Sequence, residues 1–175
     1  MIVTLIRHTS VDVPKGVCYG QTDVPLKPTF PEEAAITLQT IETENFDAVY
    51  TSPLSRCTKL ATYCGYPEAQ HDDRIKELNF GDWEMQPFDQ INDPRMQEWF
   101  DDYLNVPTTN GESFMMQYKR VANFLEELKG KDAAHVALFT HGGVIICAQI
   151  YAGILQPEEA FTALAPYGST VKIEI

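Results

Sequence analysis

Apolar and polar positions along this chain keep switching between two periods, one strand-like and one helical. Ile2-Val-Thr-Leu-Ile6 is a short apolar run and predicts a buried first strand. Pro31, Glu32 and Glu33 then suit a helix N-terminus, with Ala34, Ala35, Leu38 and Ile41 as its apolar face. Phe46–Thr51 predicts a second strand, Ser52-Pro53 a helix start, and Leu54–Cys64 the helix itself. A third, less hydrophobic strand is expected over Gln70–Leu78. Glu112–Lys129 predicts a long helix buried on Phe114, Tyr118, Val121, Phe124, Leu125 and Leu128, with Gly130 as its stop. His135–Thr140 is a buried strand, Val144–Ile154 an apolar helix, Pro157 the opening of a short helix, and Thr170–Ile175 a closing strand. Two stretches break the alternation. Val11–Thr29 is a loop punctuated by Pro14, Gly16, Gly20, Pro25 and Pro28, and Trp83–Thr109 is irregular, with short helices expected over one end of the sheet. Strands that alternate with helices argue for an α/β fold with a largely parallel sheet. There is no internal repeat and no low-complexity linker.

Composition narrows the classes. The chain has 175 residues, 44% of them hydrophobic, which fits one domain, or one domain with a small cap, around a substantial core. No run reaches the ~20 apolar residues of a membrane span. Met1 leads straight into the first strand without a basic, apolar leader, so a cytoplasmic protein is expected. Cys18, Cys57, Cys64 and Cys147 are scattered and read as reduced thiols. The net charge of −12 argues against nucleic acid and against an anionic membrane surface as partners. Any anion bound here must find a local positive site.

Four places carry candidate chemistry. Arg7-His8 follows the first strand, where open α/β sheets place their ligands. Arg offers a planar fork for phosphate oxygens, and His is a nucleophile or acid/base group near neutral pH. Read alone, the pair is equally a surface cap on the strand. His141-Gly142-Gly143 lies between another strand and a helix, where small residues and free N–H groups suit an anion. Arg56 in Ser52-Pro-Leu-Ser-Arg56 sits in the first turns of a helix, where a cation opposes the helix dipole unless an anion binds nearby. The plain alternative is a solvated Arg. Glu77, near Gly81 and Trp83, is placed for general acid work partly out of water, with Glu84 as a competitor. Metal-ligand spacings are missing, and two arginines in one pocket repel a dication, so no metal is expected. Nucleotide-loop fingerprints are missing as well.

Leu5-Ile-Arg-His8, Ser52–Arg56, Glu77-Leu-Asn-Phe-Gly-Asp-Trp-Glu84, Gly111-Glu-Ser113 and Thr140-His-Gly-Gly-Val144 follow one another along most of the chain. Together they resemble the motifs of the histidine phosphatase superfamily, the phosphoglycerate mutase-like fold. Gly16-Val-Cys-Tyr-Gly-Gln-Thr-Asp-Val-Pro-Leu26 resembles its α-ribazole phosphatase branch. The resemblance implies a three-layer α/β/α sandwich with a mostly parallel central sheet, one domain over residues 1–175, and a small helical lid at about 82–110. It implies hydrolysis of a small-molecule phosphate monoester through a phosphohistidine, with α-ribazole 5′-phosphate of cobalamin biosynthesis as the substrate. A broad-specificity phosphatase, a mutase-type phosphotransferase and an inactive binding scaffold are the alternatives.

On that resemblance His8 is the nucleophile, and Arg7, Arg56, His141 and the Gly142 N–H surround the phosphoryl oxygens. Glu77 protonates the leaving group, and no cofactor is needed. The oligomeric state stays open, a homodimer included. The family usually has Gly where this chain has Thr9 and Met85. From Asp82 to Asn105 seven acids face one base, Arg95, so a second anionic group on the substrate finds little support there. Trp83, Trp99, Phe100 and Tyr103 are candidate stacking surfaces for an aromatic leaving group, or packing for the lid.

Overall fold

The computed structural model describes residues 1–175. Five strands form one sheet in the order β3-β2-β4-β1-β5. They are β1 (Ile2–Arg7), β2 (Ala48–Thr51), β3 (Gln70–His71), β4 (His135–Thr140) and β5 (Thr170–Glu174). All neighbours are parallel except β1 and β5. The helices are α1 (Phe30–Ile41), α2 (Ser55–Tyr63), α3 (Met96–Asp101), α4 (Phe114–Lys129) and α5 (Gly142–Tyr151). None is long and apolar enough to cross a membrane.

Strand alternation sorts the core into two layers. Val3 and Leu5 of β1, with Val136 and Leu138 of β4, pack against Val121, Phe124 and Leu125 of α4 and against Val144, Ile145 and Ala148 of α5. Ile6, Ala137 and Phe139 point the other way, onto Ala34 and Ile41 of α1 and Cys57, Leu60 and Ala61 of α2. Successive residues of a strand face opposite sides, so two apolar neighbours such as Leu138 and Phe139 serve both layers. The result is the expected three-layer α/β/α sandwich with a mostly parallel sheet.

Several boundaries differ from the pattern. The third strand stops at His71 rather than running to Leu78, because the Asp72 carboxylate accepts the Arg74 N–H at 2.8 Å and turns the chain into a 3₁₀ helix over Asp73–Ile75. β2 begins at Ala48, two residues after Phe46. α4 begins at Phe114, capped by the Ser113 hydroxyl, which leaves Glu112 outside the helix. Its buried stripe includes Gln117, while Tyr118 is only half-buried. α5 starts at Gly142, two residues before Val144, and ends at Tyr151 rather than Ile154.

The irregular stretch folds around aromatic residues. Trp83 and Trp99 meet edge-on with ring centroids 5.5 Å apart. Phe88 and Phe100 continue the T-shaped contacts, and the Trp83 indole N–H donates to Asp93 at 2.7 Å. Met85 adopts φ 64° here, a left-handed conformation, while its N–H donates to the Cys18 carbonyl at 2.7 Å. The structure thus explains the glycine that the family usually carries: a side chain at this φ costs roughly 1–2 kcal/mol. Met85 is 46% exposed, so little burial offsets that strain. Met85→Gly is expected to raise stability by about 0.5–1 kcal/mol, or Tm by ~1–4 °C in a chain of this size. Thermal unfolding checks it; an unchanged or lower Tm counts against strain at this position.

Candidate active site

The register of β1 on β4 pairs Arg7 with Thr140, so the next residue of each strand, His8 and His141, emerges side by side. The His8 N–H donates to the Thr140 carbonyl at 3.1 Å, and the two imidazoles meet edge-on with centroids 5.3 Å apart. His8 is 2% exposed and His141 fully buried.

His8 Nδ1 lies 2.7 Å from the Thr9 carbonyl oxygen. A carbonyl only accepts, so Nδ1 carries the ring proton and Nε2 keeps its lone pair. Burial, then the charges of Arg56 and Arg7, hold the His8 pKa down at about 3, against an opposing pull from the Thr9 hydrogen bond. The imidazole is therefore neutral over the physiological range. His141 is pushed well below its usual range by burial first and then by Arg56. Its Nε2 lies 2.8 Å from the Ser52 hydroxyl and 3.5 Å from Cys57 Sγ. Burial pushes the Cys57 thiol up to about 12, so it stays protonated.

Both arginines are held without a counter-charge. Arg7 Nη1 donates to the Ala165 carbonyl. Arg56, fully buried in the first turn of α2, donates Nη1 to the Thr22 carbonyl at 3.0 Å and Nη2 to the Gly20 carbonyl. Neither takes part in any of the molecule's salt bridges. The Nε of each is buried with no hydrogen-bond partner. Unpaired buried charge is costly, and two unneutralised guanidinium groups flanking a neutral imidazole form a site for an anion. Gly142 permits the close approach, since a Cβ there would stand 3.3 Å from Arg7 Cζ and 2.4 Å from Leu164 Cδ1.

Glu77 lies in the turn that replaces the expected strand, and it faces the same cavity as Arg7 and His8. Its Oε1 accepts from the Leu78 N–H and from Gln117 Nε2, each at 2.9 Å, and its Oε2 from the Gly143 N–H at 3.1 Å. A side chain on Gly143 would collide with that carboxylate at 2.2 Å. The competitor Glu84 has a different role: it accepts backbone N–H bonds from Gly20, Gln21, Thr22 and Phe80 and the Thr22 hydroxyl. Burial pushes its pKa up, but the donors from Thr22, Gly20 and Gln21 outweigh that and hold it below the usual range. Glu84 thus ties together the loop that carries Arg56's carbonyl partners.

The cavity has a volume of about 360 Å³, and eleven of its sixteen lining residues are hydrophobic. Arg7, His8 and Glu77 lie on its wall, whereas Arg56 and His141 are not part of the lining. Of the four aromatic candidates, Trp99 and Tyr103 line it. Trp83 is buried in the aromatic cluster and Phe100 faces solvent, so neither is a wall of the cavity. Phe80, Phe114, Phe161, Leu164, Tyr19 and Tyr167 complete much of the surface.

Some functional neighbours escape a sequence reading. Gln117 is a polar residue in the apolar stripe of α4, a visible but ambiguous signal. Arg120 donates to the carbonyls of Arg74, Lys76 and Glu77 and to both carboxylate oxygens of Glu112, which fixes the Glu77 turn. Tyr19 lies in the Gly16–Leu26 segment but, like Tyr167, gives no sign in the sequence of what it contacts.

Residues 3–175 match the model of the histidine phosphatase superfamily (branch 1), and the chain belongs to that superfamily. It is similar to the adenosylcobalamin/alpha-ribazole phosphatase of Salmonella typhimurium, 29% identical over 154 residues, covering 83% of this chain and 76% of that protein. It is also similar to phosphoserine phosphatase 1 of Hydrogenobacter thermophilus, 28% identical over 132 residues, covering 71% of this chain and 63% of that one. The crystal structure of the alpha-ribazole phosphatase from Shigella flexneri superposes with a TM-score of 0.89 at 24% identity, over 100% of this chain and 91% of that chain, a likeness of fold.

Two predictions separate the residues by role. Between its usual pKa of 6.5 and its folded value of about 3, His8 takes up a proton only in the unfolded chain. Its contribution to stability is therefore complete above 6.5 and is lost as pH falls toward 3, by about 1.4 kcal/mol per pH unit. In urea unfolding at several pH values, His8→Asn is expected to flatten the acid loss by about that slope; parallel slopes would show that His8 titrates normally in the fold. Glu84→Gln is expected to cost about 2–3 kcal/mol of stability through its lost charge-assisted bonds. A stable Glu84→Gln protein would overturn the structural role.

Proposed function

We propose that this chain is a phosphomonoesterase that works through a phosphohistidine. The observation that carries the reading is a neutral, tautomer-fixed His8 between two arginines that have no carboxylate partner, with Glu77 across the same cavity. His8 Nε2 attacks phosphorus, the N–P bond forms, and the bond from phosphorus to the leaving oxygen breaks. Arg7 and Arg56 carry the charge of the transferring group, with neutral His141 and the Gly142 N–H beside them. Glu77 gives a proton to the departing alkoxide, then takes one from the water that attacks the phosphohistidine and releases inorganic phosphate. Gln117 and the Gly143 N–H keep its carboxyl group aimed.

The cavity wall bears on the substrate class. Arg7 is its one permanent cation, and that charge is committed to the phosphoryl group. Phosphoserine adds a carboxylate and an ammonium, and a bisphosphate adds a second phosphate, for which the wall has no further Lys or Arg. An uncharged aromatic alcohol fits Phe80, Trp99, Tyr103 and Phe114. α-Ribazole 5′-phosphate, a monophosphate bearing a benzimidazole, is the substrate this favours, and the Salmonella relative named above agrees with it.

Rapid mixing with labelled substrate and an acid-free quench is expected to trap phosphate on His8. Glu77→Gln is expected to cost ~10²–10⁴-fold in kcat/KM, which reads the phosphohistidine-forming step, for an alkyl phosphate and far less for an aryl phosphate, whose leaving group needs no proton. In a panel, kcat/KM for α-ribazole 5′-phosphate is expected to exceed that for phosphoserine and sugar phosphates by at least ~10-fold, on the scale of one well-used apolar pocket. Comparable values across the panel would point to a broad-specificity phosphatase. Phosphate moving between two hydroxyls of one molecule would point to a mutase.

A further inference from the structure

Two loops hold the two arginines, and a hydrogen bond between side chains joins the loops at the cavity wall. The first loop brings Gly20 and Thr22, whose carbonyls accept from Arg56, and Tyr19, whose ring lies 5.5 Å from the Arg56 guanidinium carbon. The second brings Ala165, whose carbonyl accepts from Arg7, and Tyr167, whose ring lies 4.0 Å over the Arg7 guanidinium carbon and 5.6 Å from the His8 ring. The Tyr19 and Tyr167 hydroxyls meet at 2.8 Å. Each loop is fixed at its far side as well: Glu84 binds the Gly20–Thr22 amides, and the Gly168 N–H donates to the His8 carbonyl at 3.0 Å.

We infer that Tyr19 and Tyr167 are positioning residues: hydrogen-bonded to each other, they lock the two loops into one clamp that keeps both guanidinium forks set for the same phosphoryl group. This rests on Arg7 and Arg56 being the phosphoryl ligands. The physical need is plain. A guanidinium paired with a carboxylate is oriented by its partner, and these two have none. Carbonyls hold one edge of each fork, and an aromatic face lies over Arg7 and near Arg56. Burial and the neighbouring Tyr167 push the Tyr19 hydroxyl further up, so Tyr19 keeps its proton at neutral pH. One then donates to the other, and the second O–H is a spare donor at the cavity wall.

The test is inhibition by inorganic phosphate, measured as a competitive Ki against an aryl phosphate, for wild type, Tyr19→Phe, Tyr167→Phe and the double variant. Ki does not depend on the fraction of active protein, so a merely structural role leaves it unchanged. Each single variant is expected to raise Ki about 3- to 10-fold, the scale of one lost hydrogen bond, and the double variant no further than the worse single one. Tyr167→Leu, which also removes the ring from Arg7, is expected to raise Ki beyond Tyr167→Phe. Unchanged Ki in both single variants, or effects that multiply in the double variant, would overturn the clamp. Wild-type protein insensitive to phosphate, with Arg7→Ala no different, would instead sink the phosphate pocket itself.

Discussion

The pairing of β1 with β4 is the constraint on which the site depends. Parallel strands in register end together, so one ladder brings the segments after Arg7 and Thr140 to the same edge of the sheet. A shift of one residue would turn Leu5 and Leu138 out of the α4/α5 layer and carry His8 away from His141 at the same time. The alternation of apolar residues that fills both layers is therefore also what sets the distance between the two imidazoles. Core packing and the geometry of the candidate site are one choice here.

Around that edge the protein keeps positive charge without neutralising it. The chain has 25 acidic residues against 13 Lys and Arg, yet Arg7 and Arg56 meet only carbonyl oxygens and aromatic rings. A carboxylate beside either would stabilise the free protein and compete with any anion bound there. The nearby carboxylates are occupied elsewhere: Glu84 by a row of backbone amides, Glu77 by Gln117 and Gly143. Burial, reinforced by the same arginines, keeps both histidines neutral, so the charge that attracts an anion also helps to preserve a free imidazole lone pair.

Much of this was legible in the residue pattern, and the exceptions have physical causes. The strands that carry Arg7-His8 and His141 stand out because each is a run of apolar residues buried on two faces. Residues 70–78 looked like a strand because Ile75 and Leu78 are apolar, but the Asp72 side chain competes for the backbone and turns it. Glu77 and Glu84 were alike as letters; only their partners, Gln117 and Gly143 for one and four backbone amides for the other, tell them apart. Gln117 sat in plain view on a helix face otherwise apolar. Tyr19 and Tyr167 meet across 148 positions of sequence, and no local periodicity encodes such a meeting. Met85 was visible as a departure from the family's glycine, but its meaning needed a backbone angle.

The aromatic cluster has an optical consequence. The chain contains two tryptophans, Trp83 and Trp99, and both belong to this cluster, stacked edge-on against each other. Trp99 also forms part of the cavity wall. The indole emission of the whole molecule therefore originates in one corner, beside the cavity. Tryptophan emission is, for this fold, a reporter of the aromatic cluster and the cavity rim it supports, and says almost nothing about the sheet beneath them.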